Sequence, residues 1–545
     1  MLKPDQIEAL RGAAEKLLDP VADYLIEDIA KRVAKAGQLT ATAQYQIWRA
    51  QQLGVSQFEV KKRVAELLKI SQEDAARLFE QAAETGYRFD LNRLPTARAI
   101  PFQENTVIQQ IVRAAVDMAG AELENITQSL GFVGPDGRVE ELTAAFLKAC
   151  DFAFMQATTG AESQTEAVRN AVRGLRNKGI QWIDYESGKS YSVEAAVRRN
   201  VYSAAGIMQE KIGQWEHDAT GCDGWEISAH TASAPDHEPI QGKQYSDEAY
   251  TRLNNSLIRR IGTLNCGHTA FPIILGVSIP TNTPEELAKM AEENEKGFEY
   301  NGKHYTRYEA TQRQRYLERK MREDKRKLLI DEATGDSEAL GNDQIQYIIH
   351  KNEYKRFSEA AGLKLQPERA EMAGFGPKQA GAARKAYKEL ANKANALYDT
   401  GTEEGNIAAY RRDLPIRERI KAGELTEKIN QGEQRKHIPG KKEYNDYVDR
   451  LKQKGEYGPA RVTIAPEKLA GIVDRYKGTG ILQRSKKGEW TNKEIITMNE
   501  EIVGVAVNNL TGAEAETPVF KIHYSEDGYH VVPDYPSKKG AKAKK

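Results

Sequence analysis

Val519-Phe520-Lys521-Ile522-His523-Tyr524-Ser525-Glu526-Asp527-Gly528-Tyr529-His530-Val531-Val532-Pro533 is the stretch on which the reading of this chain turns. Aromatic and β-branched residues alternate with polar ones on both sides of Asp527-Gly528, a dipeptide that favours a two-residue hairpin turn. That turn predicts Ser525 opposite His530. Side chains alternate between the two faces of a strand, so Lys521, His523, Ser525 and His530 share one face. Phe520, Ile522, Tyr524, Tyr529 and Val531 share the other. The hairpin therefore predicts a sheet with one apolar face to bury and one face carrying two imidazoles, a lysine and a hydroxyl.

Working outward, the spacing predicts a helix over Pro466–Tyr476, ended by Lys477-Gly478-Thr479-Gly480, and further strands at Ile481–Arg484, Glu494–Met498 and Ile502–Asn508. A helix followed by an antiparallel meander makes an α+β domain over 431–535, long enough to fold alone. Residues 431–545 hold 21 Lys/Arg against 16 Asp/Glu, and the last ten, PSKKGAKAKK, read as a basic disordered tail. The polar face suits RNA cleavage without a metal. One histidine can take the 2′-hydroxyl proton and another can protonate the leaving oxygen, because imidazoles titrate near neutrality. A lysine can stabilise the charge that builds on phosphorus. Lys436-His437 and Lys493-Glu494 are further candidates for that surface. An exposed polar sheet face with no chemistry is the plainer reading of the same alternation.

Toward the N-terminus, residues 301–430 read as a charged helical spacer. Tyr305–Ile330 carries nine Lys/Arg against four Asp/Glu on good helix formers, which predicts a helix with a solvated face, or one that contacts DNA or a partner subunit. Thr400-Gly401-Thr402-Glu403-Glu404-Gly405 reads as a flexible linker. In the first hundred residues Ile7, Leu10, Ala14, Leu17, Val21, Leu25, Ile29 and Val33 make one apolar stripe, bent at Pro20 and closed by Gly37. Thr40 predicts the N-cap of a second helix ending at Gly54. Ser56-Gln57-Phe58-Glu59 has capping-box spacing, and Ser71-Gln72-Glu73-Asp74 is a weaker copy. The helical pattern continues from Thr106 to Leu175, with a turn at Gly134-Pro135-Asp136-Gly137.

Residues Gly221–Pro280 differ, being rich in turn formers, and read as a small α+β region. His230, His237, Cys266 and His268 could supply a tetrahedral zinc shell, with Cys222 as a substitute ligand. A loop-rich segment with a small core gains folding free energy from such a clip. A hydrogen-bonded polar core without metal and a nucleophilic Cys/His pair are the other readings. Three cysteines in 545 residues exclude a disulfide scaffold and fit a reducing cytosol. Lys+Arg and Asp+Glu are both 79, which disfavours a globally basic nucleic-acid binder. No apolar run approaches the length of a membrane span, and Met1-Leu2-Lys3-Pro4-Asp5 does not open a signal peptide.

The run Trp225-Glu226-Ile227-Ser228-Ala229-His230, Pro235-Asp236-His237-Glu238, Gln241-Gly242-Lys243 and Asn265-Cys266-Gly267-His268 resembles phage minor capsid proteins of the minor capsid protein 2 type, related to Mu F-like head morphogenesis proteins. IEDIAKRVAKAGQLT, QLGVSQFEVKKRVAELL, FEYNGKHYTRY and EATQRQRYLERKMREDKR extend the resemblance over roughly residues 1–330, with the minor capsid region proper placed at 1–300. Members usually carry an arginine shortly before the second histidine, where this chain has Ala234-Pro235-Asp236. The resemblance implies a virion protein of the phage head, synthesised in the bacterial cytoplasm and present in a few copies near the portal. It implies portal and major capsid proteins as partners, contact with packaged DNA, and a role in head assembly or DNA ejection.

A second resemblance covers about 431–535. KHIPG, Tyr444, Gly478-Thr479-Gly480, Trp490 with Asn492-Lys493-Glu494, and IHYS followed by Gly528, His530 and Val532-Pro533 are similar to the polymorphic toxin type 50 domain. That family implies a ribonuclease toxin with a barnase/EndoU/RelE-like fold. Carried onto matching positions, it implies His437, Lys493, Glu494, His523, Ser525 and His530 as active residues, RNA as substrate, no cofactor, and an immunity protein as partner. Together the expectation is a multidomain chain: a mostly α-helical N-terminal half with a small α+β Cys/His region, a charged helical spacer, and a C-terminal α+β endoribonuclease domain with an antiparallel sheet. Two alternatives stay open. One is a purely structural virion protein with an inactive nucleic-acid-binding module. The other is a zinc-dependent nuclease centred on His230–His268.

Overall fold

The computed structural model describes residues 6, 9 and 13–535, less 15, 40–41, 92–99, 134–138, 174–175, 177–178, 185–188, 264–265, 373, 426–427 and 499–500. The N-cap expected at Thr40, the turn at Gly134–Gly137, Asn265 and the basic tail 536–545 lie outside the described residues. The chain forms two units, Met1–Arg384 and Lys385–Lys545. The division falls inside the helix Pro377–Leu397. The first unit is mostly helical and the second is rich in antiparallel sheet. Among the described residues, no helix is long and apolar enough to cross a membrane.

In the first unit the apolar stripe is real from Ala14 to Val33 but its punctuation differs, and Ile7 and Leu10 lie outside the described residues. Pro20 stands in the first turn of the helix Asp19–Gln38 and does not bend it, because a proline there gives up no helical hydrogen bond. Gly37 lies within that helix, where an added Cβ would sit 2.8 Å from Val168 Cγ2, so it serves close packing and not chain reversal. Val21, Leu25, Ile29 and Val33 are buried in one core with Phe79, Tyr87, Ile108, Leu123 and Met208. Thr42–Leu91 is one 50-residue helix with no break at Gly54 or Ser56. Ser71 is mid-helix, its hydroxyl donating to the Leu67 carbonyl one turn back. A four-stranded sheet of Val139–Glu141, Leu130–Val133, Gln181–Asp184 and Lys189–Ser192 interrupts the expected run of helices.

The charged helix Arg307–Thr334 opens with a complete capping box between Thr306 and Glu309. It is not a solvated spacer. Leu317, Met321 and Leu328 are buried along it together with Glu318, Arg322, Asp324, Lys325 and Asp331. These polar groups are paired inside the unit: Arg322 Nη1 donates to the Arg369 carbonyl at 2.5 Å, Asp324 meets His350 Nδ1 at 2.6 Å, and Asp331 accepts from Arg176 Nε at 2.8 Å. Lys325 reaches the Ala370 carbonyl. Burying a charge costs heavily unless it is paired, and helices rich in complementary groups meet that condition. The supposed linker at Thr400–Gly405 is likewise ordered: Thr402 caps the helix Glu403–Lys421, and the Thr400 N–H donates to Asn406 Oδ1 at 2.8 Å.

In the second unit the sheet runs Ile481–Arg484, Trp490–Thr497, Val519–Ser525, Gly528–Pro533, all antiparallel. Its apolar side packs on the helix Pro466–Tyr476, with Phe520, Ile522, Tyr529 and Val531 meeting Leu469, Ile472 and Val473. The expected single meander is two sheets. Gly504–Val507 turns away to pair with Glu514–Thr517 and Arg461–Val462. Gly504 permits it, since a Cβ there would collide with the Arg461 carbonyl. The helix Glu403–Lys421 belongs to this unit: Ile420 lies in its core and Arg417 Nη1 donates to the Gly478 carbonyl at 3.2 Å.

Glu494 holds the turn that ends the Pro466–Tyr476 helix. Fully buried, it accepts from the Gly478 N–H at 3.0 Å, the Gly480 N–H at 2.7 Å and the Tyr524 hydroxyl at 2.7 Å. Replacing it by alanine leaves three buried donors without an acceptor, each worth about 1–3 kcal/mol. We expect Glu494→Ala to lower the stability of the second unit by on the order of 3 kcal/mol or more in a denaturant titration of the full chain. A midpoint equal to wild type would contradict this assignment.

Candidate functional site

The outer face of the second unit's sheet carries a row of basic groups across three strands. Lys493 pairs with His523, and His523 pairs with His530. The His523 and His530 rings lie 4.6 Å apart between centroids. The hairpin register differs from expectation. Ser525 faces Gly528, and the two loop residues are Glu526 and Asp527. Gly528 enters the strand with φ 134°, a backbone conformation that other residues rarely adopt, so the turn closes one residue early on each side of the expected pairing. The shift preserves the faces: Phe520, Ile522, Tyr524, Tyr529 and Val531 are buried, while Lys521, His523 and His530 are half-buried on the other side.

Lys493 owes its position to an irregularity. Pairing between Ile481–Arg484 and Trp490–Thr497 slips around Leu482 and Arg484, Asn492 takes φ 57°, and Trp490 Nε1 donates to the Lys493 carbonyl at 3.0 Å. Bulges of this kind re-aim a side chain.

His437 arrives from outside the sheet. The segment before it lies along the edge strand: the Asn430 N–H donates to the Tyr529 carbonyl at 2.7 Å and the Tyr529 N–H to the Lys428 carbonyl at 3.0 Å. Gln434 is buried and binds both backbone groups of Val531, donating to the carbonyl at 3.1 Å and accepting from the N–H at 2.8 Å. His437 then stacks on His530 at 6.0 Å with 10° between planes, with the Tyr447 ring edge-on at 6.0 Å. Its Nδ1 sits 2.7 Å from the Ala460 carbonyl. A carbonyl can only accept, so Nδ1 carries the proton and neutral His437 keeps its lone pair on Nε2.

Burial chiefly, then the neighbouring His530, Lys493 and His437, push the His523 imidazole down to about 3. Burial, then His437, push His530 down to about 4, opposed by Glu433. Burial also lowers His437. All three rings are therefore neutral at pH 7, in a setting that an anion would relieve.

Of the other expected residues, Glu494 is on the buried side and belongs to the fold, not the polar face, because strand alternation sets it opposite Ile522. Ser525 is exposed at the hairpin end and its hydroxyl donates to the Gly528 carbonyl at 2.7 Å. Lys521 pairs with Asp534 at 2.8 Å. The sequence reading missed Glu433, which is ion-paired with Lys436 and held below the usual carboxylate range first by that lysine and then by His530 and His437. It also missed Tyr447. The three-residue spacing of Glu433 and Lys436 ahead of His437 was the available signal for the former.

In the first unit, Gly224–Ile227 is the central strand between Gln244–Ser246 and Ala270–Ile273. The loop after it brings His237 to Cys266 and His268, which immediately precede Ala270–Ile273. Cys266 Sγ lies 3.2 Å from His237 Nδ1 and 3.7 Å from His268 Nδ1. All three are buried, and their ligand atoms lie within 4.8 Å of one another. His230 is not in that group; its ring stacks on His268 at 4.4 Å. Cys222 is elsewhere, with Sγ 3.2 Å from Thr220 Oγ1 beyond the helix Val193–Thr220.

Residues 2–357 match the family described as Phage minor capsid protein 2, and residues 429–533 match the family described as Bacterial toxin 50. No curated protein and no solved structure matches the chain.

The depressed histidines set a pH dependence. An unfolded histidine titrates near about 6.5, so between that value and the folded ones the unfolded chain binds more protons. The stability of the second unit is then complete above pH ~6.5 and is lost progressively as the pH falls toward ~4. Denaturant midpoints of the full chain between pH 7 and 4 should show this fall, and His530→Asn should make it shallower. A second-unit midpoint flat across that interval would contradict the burial of the imidazoles.

Proposed function

The chain belongs to the phage minor capsid protein 2 family, and from that premise we propose that it is a minor component of the phage head whose second unit cleaves RNA without a metal. The first unit would assemble with portal and major capsid proteins, close to packaged DNA, and act in head assembly or DNA ejection. The second unit would be a passenger effector, held in check in the producing cell by an immunity protein.

The observation that carries the catalytic part is the Lys493–His523–His530 row with His437 stacked on its end. A phosphodiester seated on this face brings negative charge among three neutral imidazoles and raises their affinity for protons. His437, whose proton is fixed on Nδ1, is prepared to take the 2′-hydroxyl proton through Nε2. The 2′ oxygen attacks phosphorus as its proton passes to His437, the bond to the 5′ oxygen breaks, and the His523–His530 pair, having taken up a proton from solvent when the phosphodiester was seated, gives that proton to the leaving oxygen. Lys493 and Lys436 flank the face and stabilise the dianionic transition state. Glu433 holds Lys436 in place.

One observation favours a second reading, in which the unit holds nucleic acid without cutting it. The free site has no protonated imidazole to act as acid. The full chain incubated with RNA in chelator separates the two. Cleavage should proceed, and His437→Ala, His523→Ala and His530→Ala should each slow it by about 10²–10⁴-fold. Intact RNA, or equal rates in all three variants, would remove the catalytic reading.

A further inference from the structure

We propose that His237, Cys266 and His268 hold one tetrahedrally coordinated divalent ion of the zinc class, with His230 outside its shell and the fourth corner taken by water. The spacing is that of a metal site. With Zn–N near 2.0–2.1 Å and Zn–S near 2.3 Å, the nitrogen–sulfur edges of a tetrahedron are roughly 3.5 Å. The two observed edges are 3.2 and 3.7 Å. Two imidazoles on adjacent corners place their ring centroids roughly 5 Å apart. His237 and His268 stand at 5.3 Å with 66° between planes, whereas His230 lies flat on His268 at 4.4 Å and 25°.

Outer groups prepare both imidazoles. His237 Nε2 lies 2.9 Å from the Arg259 carbonyl, which fixes its proton there and leaves Nδ1 facing the sulfur. His268 Nε2 lies 3.0 Å from Gln241 Oε1, which also accepts from the His230 N–H at 3.0 Å, so the amide oxygen orients the ring with Nδ1 inward. The His268 N–H points at Cys266 Sγ at 3.3 Å, a donor that stabilises a thiolate. Metal-bound histidines use their second nitrogen in this way. Gly267 has to be glycine for this packing, since a Cβ there would lie 2.7 Å from His230 Nε2. One sulfur, two imidazoles and no carboxylate favour zinc over magnesium or calcium.

The ion has a structural task. The apolar clusters of this region are small, Phe271 with Ile273 and Ile227 with Ile261 and Cys266. A bond from His237 to Cys266 would fasten the loop after Gly224–Ile227 to the start of Ala270–Ile273.

Elemental analysis of the full chain should find about one zinc per chain. Cys266→Ser and His237→Ala should lose most of it, while His230→Ala and Cys222→Ser keep it. Because the first two variants can fail through misfolding, wild-type chain exchanged with cobalt gives a second readout: a sulfur-to-cobalt charge-transfer band with the visible absorption of a tetrahedral ion. Zinc below about a tenth of an equivalent, or cobalt without the charge-transfer band, would overturn the site. Loss of metal in His230→Ala would overturn the three-ligand assignment.

Discussion

Successive side chains of a strand cannot point the same way, and in the second unit this constraint decides where the histidines sit. Phe520, Ile522, Tyr529 and Val531 must be dry, since they meet the helix Pro466–Tyr476 in the core. Their burial forces His523 and His530 onto the opposite face and into register with each other. The same packing brings the two rings close and partly removes them from water, which lowers their proton affinity. Fold and proton affinity are thus linked: the core that holds the sheet also tunes the imidazoles. His437 extends the cluster only because Gln434 fastens its segment to the backbone of Val531.

The first unit solves a different problem. Its helix Arg307–Thr334 is too charged to form an ordinary core, yet much of it is buried. Pairing makes this tolerable, and the pairing reaches across the unit. Arg176 bridges Asp331 and Asp343, at 2.8 and 2.7 Å, and Arg169 bonds Asp336 at 2.5 Å. Burial raises Asp331 above the usual carboxylate range despite its arginine. Buried pairs of this kind add little net stability, because desolvation offsets most of the attraction.

Local pattern made the sequence legible where the pattern was strong. The strand Val519–Ser525 and the helix Pro466–Tyr476 have the residues expected of them. The facing of His523 and His530 was also legible, because a shift of the hairpin that preserves parity leaves faces unchanged. The pairing of Ser525 was not, because which dipeptide forms the turn depends on the backbone that Gly528 adopts. Glu494 stood with Lys493 as a candidate for the polar surface, but adjacent residues of a strand face opposite ways, and Glu494 accepts three buried donors instead. Charge density suggested solvent around Arg307–Thr334; the partners that bury it, such as His350 and the Arg369 carbonyl, are distant in sequence. Gly54 and Ser56 resembled helix ends, yet the helix Thr42–Leu91 runs through them. Of the four candidate metal ligands, spacing could not set His230 apart, since only the fold shows its ring stacked on His268 and outside the group of His237, Cys266 and His268.

The chemistry proposed for the histidine face would leave a mark on its products. Attack by the 2′ oxygen with proton transfer through His437 and the His523–His530 pair would yield a 2′,3′-cyclic phosphate and a 5′-hydroxyl. End-group analysis by mass spectrometry of RNA treated with the full chain in chelator reads this directly. Fragments ending in cyclic phosphate or its hydrolysis product, each followed by a 5′-hydroxyl, are the predicted result. Fragments with 3′-hydroxyl and 5′-phosphate ends, or RNA left whole, would contradict it.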